Sequence, residues 1–385
     1  MFLLRKKKGK VYVGLSGGVD SSVSAALLKR EGYDVTGVFI RIAIEGYPCP
    51  AAADRLEAMR AAAHLKIPFI EIDLSKEYQA RVFDFSIAEF AKGRTPNPDA
   101  LCNREIKFGI FYDFARAHGA DFVATGHYAQ LRKSNPSGVR DFSAKKSLSS
   151  RAVALESPLQ GSFASLYISA DDTKDQSYFL WAVPEEHLAH ALFPVGGLKK
   201  SHVRKLAKKF GLPNAARPDS QGLCFLGDIS IEDMLEREVH LKEGKVLSEE
   251  GEVIGTHHGA ARYTLGQRHG FELSNQTNET PAHFVIGKSI EDNTITVSKE
   301  RYPKSASKTI LTLEETNWIG EFADGEYTAR FRYRQKLMPA QLVINGETPT
   351  VVLNEPQYVP EGQSLVLYKG ERCMGGGIIK QATLE

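Results

Sequence analysis

The first third of the chain alternates short apolar runs with stretches whose apolar residues recur every three to four positions. Residues 11–15, 34–40, 68–74 and 121–125 read as buried strands, and 21–31, 51–65, 77–91 and 98–118 as helices. This alternation predicts an α/β fold: a parallel, doubly wound sheet with helices on both faces. Ligands of such sheets bind beyond the carboxyl ends of the strands, which directs attention to the segment after the first one.

The pattern then changes. Residues 134–170 are rich in Ser and Lys, lack sustained periodicity, and read as a mobile surface insertion. Helical spacing returns at 176–182, 185–192, 200–210 and 231–239. The rest is dominated by period-two runs separated by Gly, Asn and Asp turns, among them KVLSEEGEVIG, TARFRYRQ, AQLVINGETPTVVL and SLVLYKGERCMGGGII. Such runs predict antiparallel hairpins and a barrel. Three domains are expected: 1–222 with the insertion, a small central domain at 223–299, and a C-terminal antiparallel β-barrel at 300–385.

Composition adds limits rather than a function. A chain of 385 residues exceeds one ordinary core. Its 49 Lys+Arg against 47 Asp+Glu do not by themselves announce a polyanion partner, so any nucleic-acid surface must be local. No run approaches a membrane span, and the basic start MFLLRKKKGK is the reverse of a signal peptide. A cytoplasmic, reducing location is expected. Cys49, Cys102, Cys224 and Cys373 lie far apart without zinc-type spacing.

Chemistry concentrates first in VGLSGGVDSSVSAALL at 13–28. Gly17 and Gly18 allow successive N–H groups to turn around an anion, and the following helix N-terminus favours negative charge. A plain strand-to-helix turn is the competing reading; the converging Ser16, Asp20, Ser21 and Ser22 favour a phosphate. No lysine closes the loop, which argues against terminal phosphoryl transfer. SGGVDSS matches the SGGxDS motif of the ATP pyrophosphatases, which implies cleavage between the α- and β-phosphates, with Asp20 near the Mg2+ that accompanies ATP.

In GRTPNPDALCNREIKF, Asn97 and Pro98 form a helix start. Cys102 then falls in or just past the first turn, where the helix dipole, Arg104 and Lys107 favour a thiolate. Burial as a small apolar residue is the other reading. Cys224 lies on a polar turn, in RPDSQGLCFLG; Cys49 and Cys373 suit packing better. Lys199, Lys200, Arg204, Lys205, Lys208 and Lys209 give one helix a cationic face, either solvated or phosphate-binding. Arg330, Arg332, Tyr333 and Arg334 combine cations with an aromatic on a predicted strand, either to meet an unpaired base or to form cross-strand pairs. His127 reads either as a catalytic imidazole or as a hydrogen-bonded supporting residue.

GLSGGVDSSVSA, GRTPNPDALCNREIKF, ATGHYA, KDQSYFL, LFPVGGL, DSQGLCF, YTLGQRHG, FRYRQ and GGGII occur in this order over about 11–379. Together they closely resemble the tRNA-specific 2-thiouridylase family. The resemblance implies ATP against Gly14, Leu15, Ser16, Gly17, Gly18, Val19, Asp20 and Ser21, with Ile40 and Gly126 also contacting the nucleotide. It implies a wobble uridine near Asn97, Pro98 and Asp99, and tRNA contacts from Lys174, Asp175, Gln176, Arg332 and Tyr333. ATP would adenylate the uracil 2-carbonyl, releasing pyrophosphate and later AMP. Cys224 would receive a persulfide from a sulfur-donor protein, a cysteine desulfurase or sulfur relay protein, and Cys102 would complete transfer, ending in a disulfide with Cys224. Asp99 is a candidate general acid or base. A monomer is expected. An AMP-forming amide ligase and a non-catalytic tRNA-binding protein are the alternatives; neither needs both cysteines.

Overall fold

The computed structural model describes residues 8–47, 51–134, 163–219, 231–239, 241–274, 281–346 and 348–385. The first strands are β1 (Lys10–Gly14), β2 (Asp34–Arg41), β3 (Phe69–Asp73), β4 (Phe122–Ala124), β5 (Gln130–Ser134), β6 (Phe163–Tyr167) and β7 (Ala191–Leu192). Five of them form an all-parallel sheet in the order β3-β2-β1-β4-β7. Alternation along β1 divides the core between the two faces. Val11 and Val13 join Ala25, Leu28, Ala58 and Ala62 on one side, while Tyr12 meets a cluster containing Ile40, Phe108 and Phe111 on the other. The helices α1 (Val19–Glu31) and α2 (Ala51–Leu65) supply the first of these faces.

The topology reverses at β1, which lies between β2 and β4. The crevice beyond the carboxyl ends of β1 and β4 is therefore the switch point where ligands bind in such sheets. The β1–α1 loop and Gly126 meet there.

Several local expectations change in the folded chain. Residues 185–192 do not form one helix: the helix Glu185–Ala189 stops and Ala191–Leu192 pair with β4, sheet hydrogen bonding overriding helical spacing. Residues 176–182 contain only the short turn Ser177–Phe179, whose Ser177 and Tyr178 hydroxyls bond Tyr368 and Gln363 on the outer side of the C-terminal strands. The flanks of the expected mobile insertion are ordered strands: β5 pairs with β6, and residues 135–162 lie outside the described residues.

The central sheet contains β8 (Gly244–Leu247), β9 (Val253–His257), β10 (Phe271–Leu273), β11 (Phe284–Ser289) and β12 (Thr294–Ser298), in the order β10-β9-β8-β12-β11. The C-terminal strands are β13 (Thr309–Trp318), β14 (Gly325–Arg330), β15 (Met338–Asn345), β16 (Thr348–Leu353), β17 (Ser364–Lys369) and β18 (Arg372–Leu384). Their order is β13-β16-β15-β14-β17-β18, and antiparallel pairing of β18 with β13 closes them into a barrel. Closure removes the exposed edges that an open sheet would carry. β6 pairs with the start of β18, so the α/β domain and the barrel share a hydrogen-bonded sheet.

Candidate active site

The β1–α1 loop is held by its own serines and by distant residues. Ser21 Oγ donates to the Gly18 carbonyl at 3.2 Å and accepts from the Ser16 N–H at 3.3 Å; Ser22 Oγ also donates to Gly18. The Asn214 amide donates to the Gly17 carbonyl (2.8 Å), the Gly18 carbonyl (3.2 Å) and Ser22 Oγ (2.9 Å). Arg217 reaches the Gly17 carbonyl and pairs with Asp54. Gly17 has φ +77°, and a Cβ there would run into the Asp54 backbone. Gly126 is also closely packed: a Cβ would lie 2.7 Å from Ser21 N and 2.9 Å from the Asp20 carbonyl carbon. The chain after β4 thus presses against the first turn of α1.

Gly18 is the N-cap of α1 and contributes no side-chain cap, so the first-turn N–H groups and the helix dipole face the crevice without a competing oxygen from the cap. Leu15, Val19 and Ile40 are buried beneath the loop. These features fit an anionic phosphate group.

The electrostatics of the crevice centre on Asp20 and Asp219. Asp20 accepts from Tyr128 Oη at 2.8 Å, and both its oxygens lie 2.7 Å from Lys200 Nζ. The same ammonium is 2.9 Å from Asp219 Oδ1, while Lys174 reaches Oδ2 at 2.9 Å and Arg204 pairs with the same carboxylate. Burial pushes the Asp219 carboxyl up, but the hydrogen bonds from Lys174 and Lys200 outweigh it and hold the group well below the usual carboxylate range. Burial and the neighbouring Asp20 together push the Tyr128 phenol far up, so it remains a donor.

The Cys102 helix lies beside this loop. The Asn97 side chain caps it by accepting from the Ala100 N–H at 3.2 Å, and Pro98 occupies the first turn, as the sequence indicated. The helix continues as the π-helical stretch Cys102–Ile110 and then Phe111–Ala117. Phe111 packs where a Cβ on Gly14 would lie 3.6 Å from its ring. Phe108 meets the His127 ring at 6.0 Å, so the helix touches both the end of β1 and the ATGHYA segment. Asp99 is half-buried. Cys102 is 0% exposed, within the apolar cluster of Tyr12, Phe108 and Phe111. The expected first-turn thiol is therefore covered, and the apolar reading of it describes this conformation. Cys224 and Cys49 lie outside the described residues. Cys373 is fully buried and its thiol is pushed up to about 12 by burial, consistent with packing.

His127 is buried, with its Nδ1 2.7 Å from Thr125 Oγ1. Burial, then the Lys107 charge, push its pKa well below the ordinary value, so the ring is neutral and supports the fold of the crevice.

The residues expected to meet tRNA are engaged within the protein. Lys174 binds Asp219, Asp175 is buried against Arg330, and Gln176 exchanges hydrogen bonds with the Tyr128 backbone. Arg330 therefore does not belong to a surface cationic strip. Arg332 and Tyr333 lie past β14 rather than on it, because that strand ends at Arg330. Tyr333 packs against Phe179 with ring centres 4.7 Å apart. Arg332 lines a polar cavity of about 220 Å³ with Arg301, Tyr302, Gln335, Gln357 and Tyr358. A larger cavity of about 330 Å³ lies between the α/β domain and the barrel, lined by Asn97, Leu101, Trp181, Glu314 and Ser364 among others.

Tyr128 lies in ATGHYA, and Arg217 and Asp219 open RPDSQGLCFLG, yet nothing local marked their roles at the loop; Asn214 lies in no such motif. Their contacts to the loop span 108 to 200 positions where they touch Asp20 or Gly17 directly. Lys200 was visible only as part of a cationic helix.

Three family profiles match in chain order: "tRNA methyl transferase HUP domain" at 9–228, "tRNA methyl transferase PRC-barrel domain" at 232–299 and "Aminomethyltransferase beta-barrel domain" at 308–379. Among curated proteins, the tRNA-specific 2-thiouridylase MnmA of Streptococcus thermophilus is 39% identical over 383 residues, covering 97% of this chain and 96% of that protein. The proteins of the same name from Streptococcus mutans and Enterococcus faecalis are each 38% identical and cover 98% and 97% of this chain, and 97% and 96% of their own lengths. The profile descriptions speak of methyl transfer, whereas these near-full-length relatives are named for 2-thiolation; the full-length match is the more specific. The chain belongs to the tRNA-specific 2-thiouridylase family.

Proposed function

We propose that this protein catalyses ATP-dependent 2-thiolation of the wobble uridine of tRNA, as its curated relatives are named to do. The single observation that carries the catalytic reading is the meeting of two elements at the switch point. An uncapped α1 N-terminus, approached by Gly126, follows the end of β1, where Phe108 and Phe111 pack from the helix that begins with Asn97, Pro98, Asp99 and Cys102.

ATP supplies the activation of the uracil 2-carbonyl, turning a poor leaving oxygen into one that sulfur can displace. The chain's own part is to hold the phosphates on backbone N–H groups at Gly17, Gly18 and the start of α1, with Asp20 the carboxylate available to Mg2+. Asn214 and Arg217 keep the loop in shape by occupying its carbonyls. Asn97, Pro98 and Asp99 receive the base, Asp99 moving a proton at the activated centre. Cys224 carries sulfur as a persulfide from a cysteine desulfurase or relay protein. Either the persulfide adds directly and Cys102 breaks its S–S bond, or Cys102 first releases sulfide. Both routes leave a Cys102–Cys224 disulfide that cellular thiols reduce. Because Cys102 is covered, tRNA binding has to open the packing around it. We further propose that the protein acts as a monomer in the cytoplasm, with Arg332 and Tyr333 on the RNA-facing side.

The test is release of pyrophosphate from ATP with and without unmodified tRNA. Release that depends on tRNA supports the reading; ATP turnover indifferent to tRNA, or dependent on ammonia, contradicts it.

A further inference from the structure

The loop at the end of β1 contains no lysine, yet an ammonium stands on it. Lys200 comes from 180 positions away, from the helix Lys200–Lys209, and bridges both oxygens of Asp20 at 2.7 Å. Only 14% of its side chain is exposed. Its base is fixed, because the Lys200 N–H donates to Asp171 Oδ2 at 2.8 Å, and Asp171 is itself tied to Thr173. Its tip is not committed to one partner: Asp219 Oδ1 lies 2.9 Å away on the other side of the ammonium.

Around the two carboxylates stand three cations, Lys200, Arg204 and Lys174. With Asp171, which also acts on Tyr128, the carboxylates balance these cations; an anion becomes favoured beside the uncapped helix N-terminus once a divalent ion takes the charge of Asp20. If Asp20 is given to a divalent ion, Lys200 can no longer share it without like-charge repulsion, and Asp219 is already in place to retain the ammonium at the rim of the crevice.

We propose that Lys200 is the nucleotide-positioning lysine of this site: it neutralises Asp20 before ATP arrives and, once Mg2+ takes Asp20, remains on Asp219 to hold the pyrophosphate end of the nucleotide. This rests on the ATP reading above. It assigns to a distant helix the charge that a phosphate-binding loop of the lysine-containing kind carries within its own sequence, and it separates Lys200 from the exposed Lys205, Lys208 and Lys209 of the same helix. The competing role is a structural clip joining that helix to α1.

The experiment is calorimetric titration of the full chain with Mg2+ and α,β-methylene-ATP, and separately with AMP, for the natural protein, Lys200→Met and Lys200→Arg. Loss of a charge-assisted hydrogen bond should weaken the analogue about tenfold or more in Lys200→Met. AMP affinity should stay unchanged, and Lys200→Arg should recover most of the loss. Equal weakening of both ligands, or an analogue that binds Lys200→Met as tightly as the natural protein, overturns the proposal. An analogue that fails to bind the natural protein overturns the ATP reading along with it. If Lys200→Met does not fold, an ATP probe bearing an acyl group on its terminal phosphate decides the matter on the natural protein. Acylation of Lys200, blocked by excess ATP and located by peptide mass spectrometry, is expected; acylation of other lysines with Lys200 untouched overturns the proposal.

Discussion

Arg330 on β14 and Asp175 in the α/β domain form a buried ion pair at 2.5 Å, with 7% and 4% of their side chains exposed. Asp175 also accepts from Ser169 N, Ser177 N and Ser177 Oγ, and Arg330 donates to Tyr368 Oη, so each charge has further hydrogen bonds at the domain boundary. Removing one partner strands the other charge. Arg330→Met should destabilise the protein by about 3–5 kcal/mol. The double variant Arg330→Met, Asp175→Asn should recover part of that loss. Urea unfolding checks both; a loss below about 1 kcal/mol in the single variant would mean the pair does not hold the barrel in place.

Gly126 leaves no room for a side chain between β4 and the first turn of α1. Gly126→Ala must push Asp20 and Ser21 away, disturbing the phosphate-facing N–H groups. The expected result is at least a tenfold weaker affinity for α,β-methylene-ATP, about 1.4 kcal/mol, with overpacking lowering stability by about 1–3 kcal/mol. Unaltered nucleotide affinity would show that this contact does not shape the nucleotide site.

Cys102 has no exposed surface. In the absence of tRNA it should resist iodoacetamide, and adding tRNA with an ATP analogue should make it react, as peptide mass spectrometry would reveal. Rapid alkylation of Cys102 in the free protein would contradict the covered conformation.

The sequence announced what depends on neighbours in the chain and concealed what depends on folding. Alternating strands and helices made β1 to β4 legible, and Gly17, Gly18, Asn97 and Pro98 announced their turns through local backbone needs. β7 is two residues long and exists by pairing with β4, so no periodicity could reveal it. Nothing in the sequence told that Asp175 and Arg330 would find each other 155 positions apart: Arg330 read only as one of a run of cations, and Asp175 stood out only through the resemblance. Lys200 looked like its solvated neighbours for the same reason.

His127 sets an acid limit on stability. The buried ring stays neutral where the unfolded chain's histidine, near its ordinary 6.5, takes up a proton. The unfolded state thus binds more protons as pH falls below about 6.5, and stability declines by up to about 1.4 kcal/mol per pH unit from this group until the depressed native pKa is reached. His127→Gln should remove that part of the slope. Urea unfolding between pH 7.5 and 5 checks the sign; identical slopes for both proteins would contradict it.

The decisive measurement is nucleoside mass spectrometry of unmodified tRNA incubated with the full chain, ATP, Mg2+, cysteine and a cysteine desulfurase. The natural protein should give 2-thiouridine at the wobble position. Cys102→Ser and Cys224→Ser should yield none, while still releasing pyrophosphate when tRNA is present. No 2-thiouridine from the natural protein, or an undiminished yield from Cys224→Ser, would contradict it.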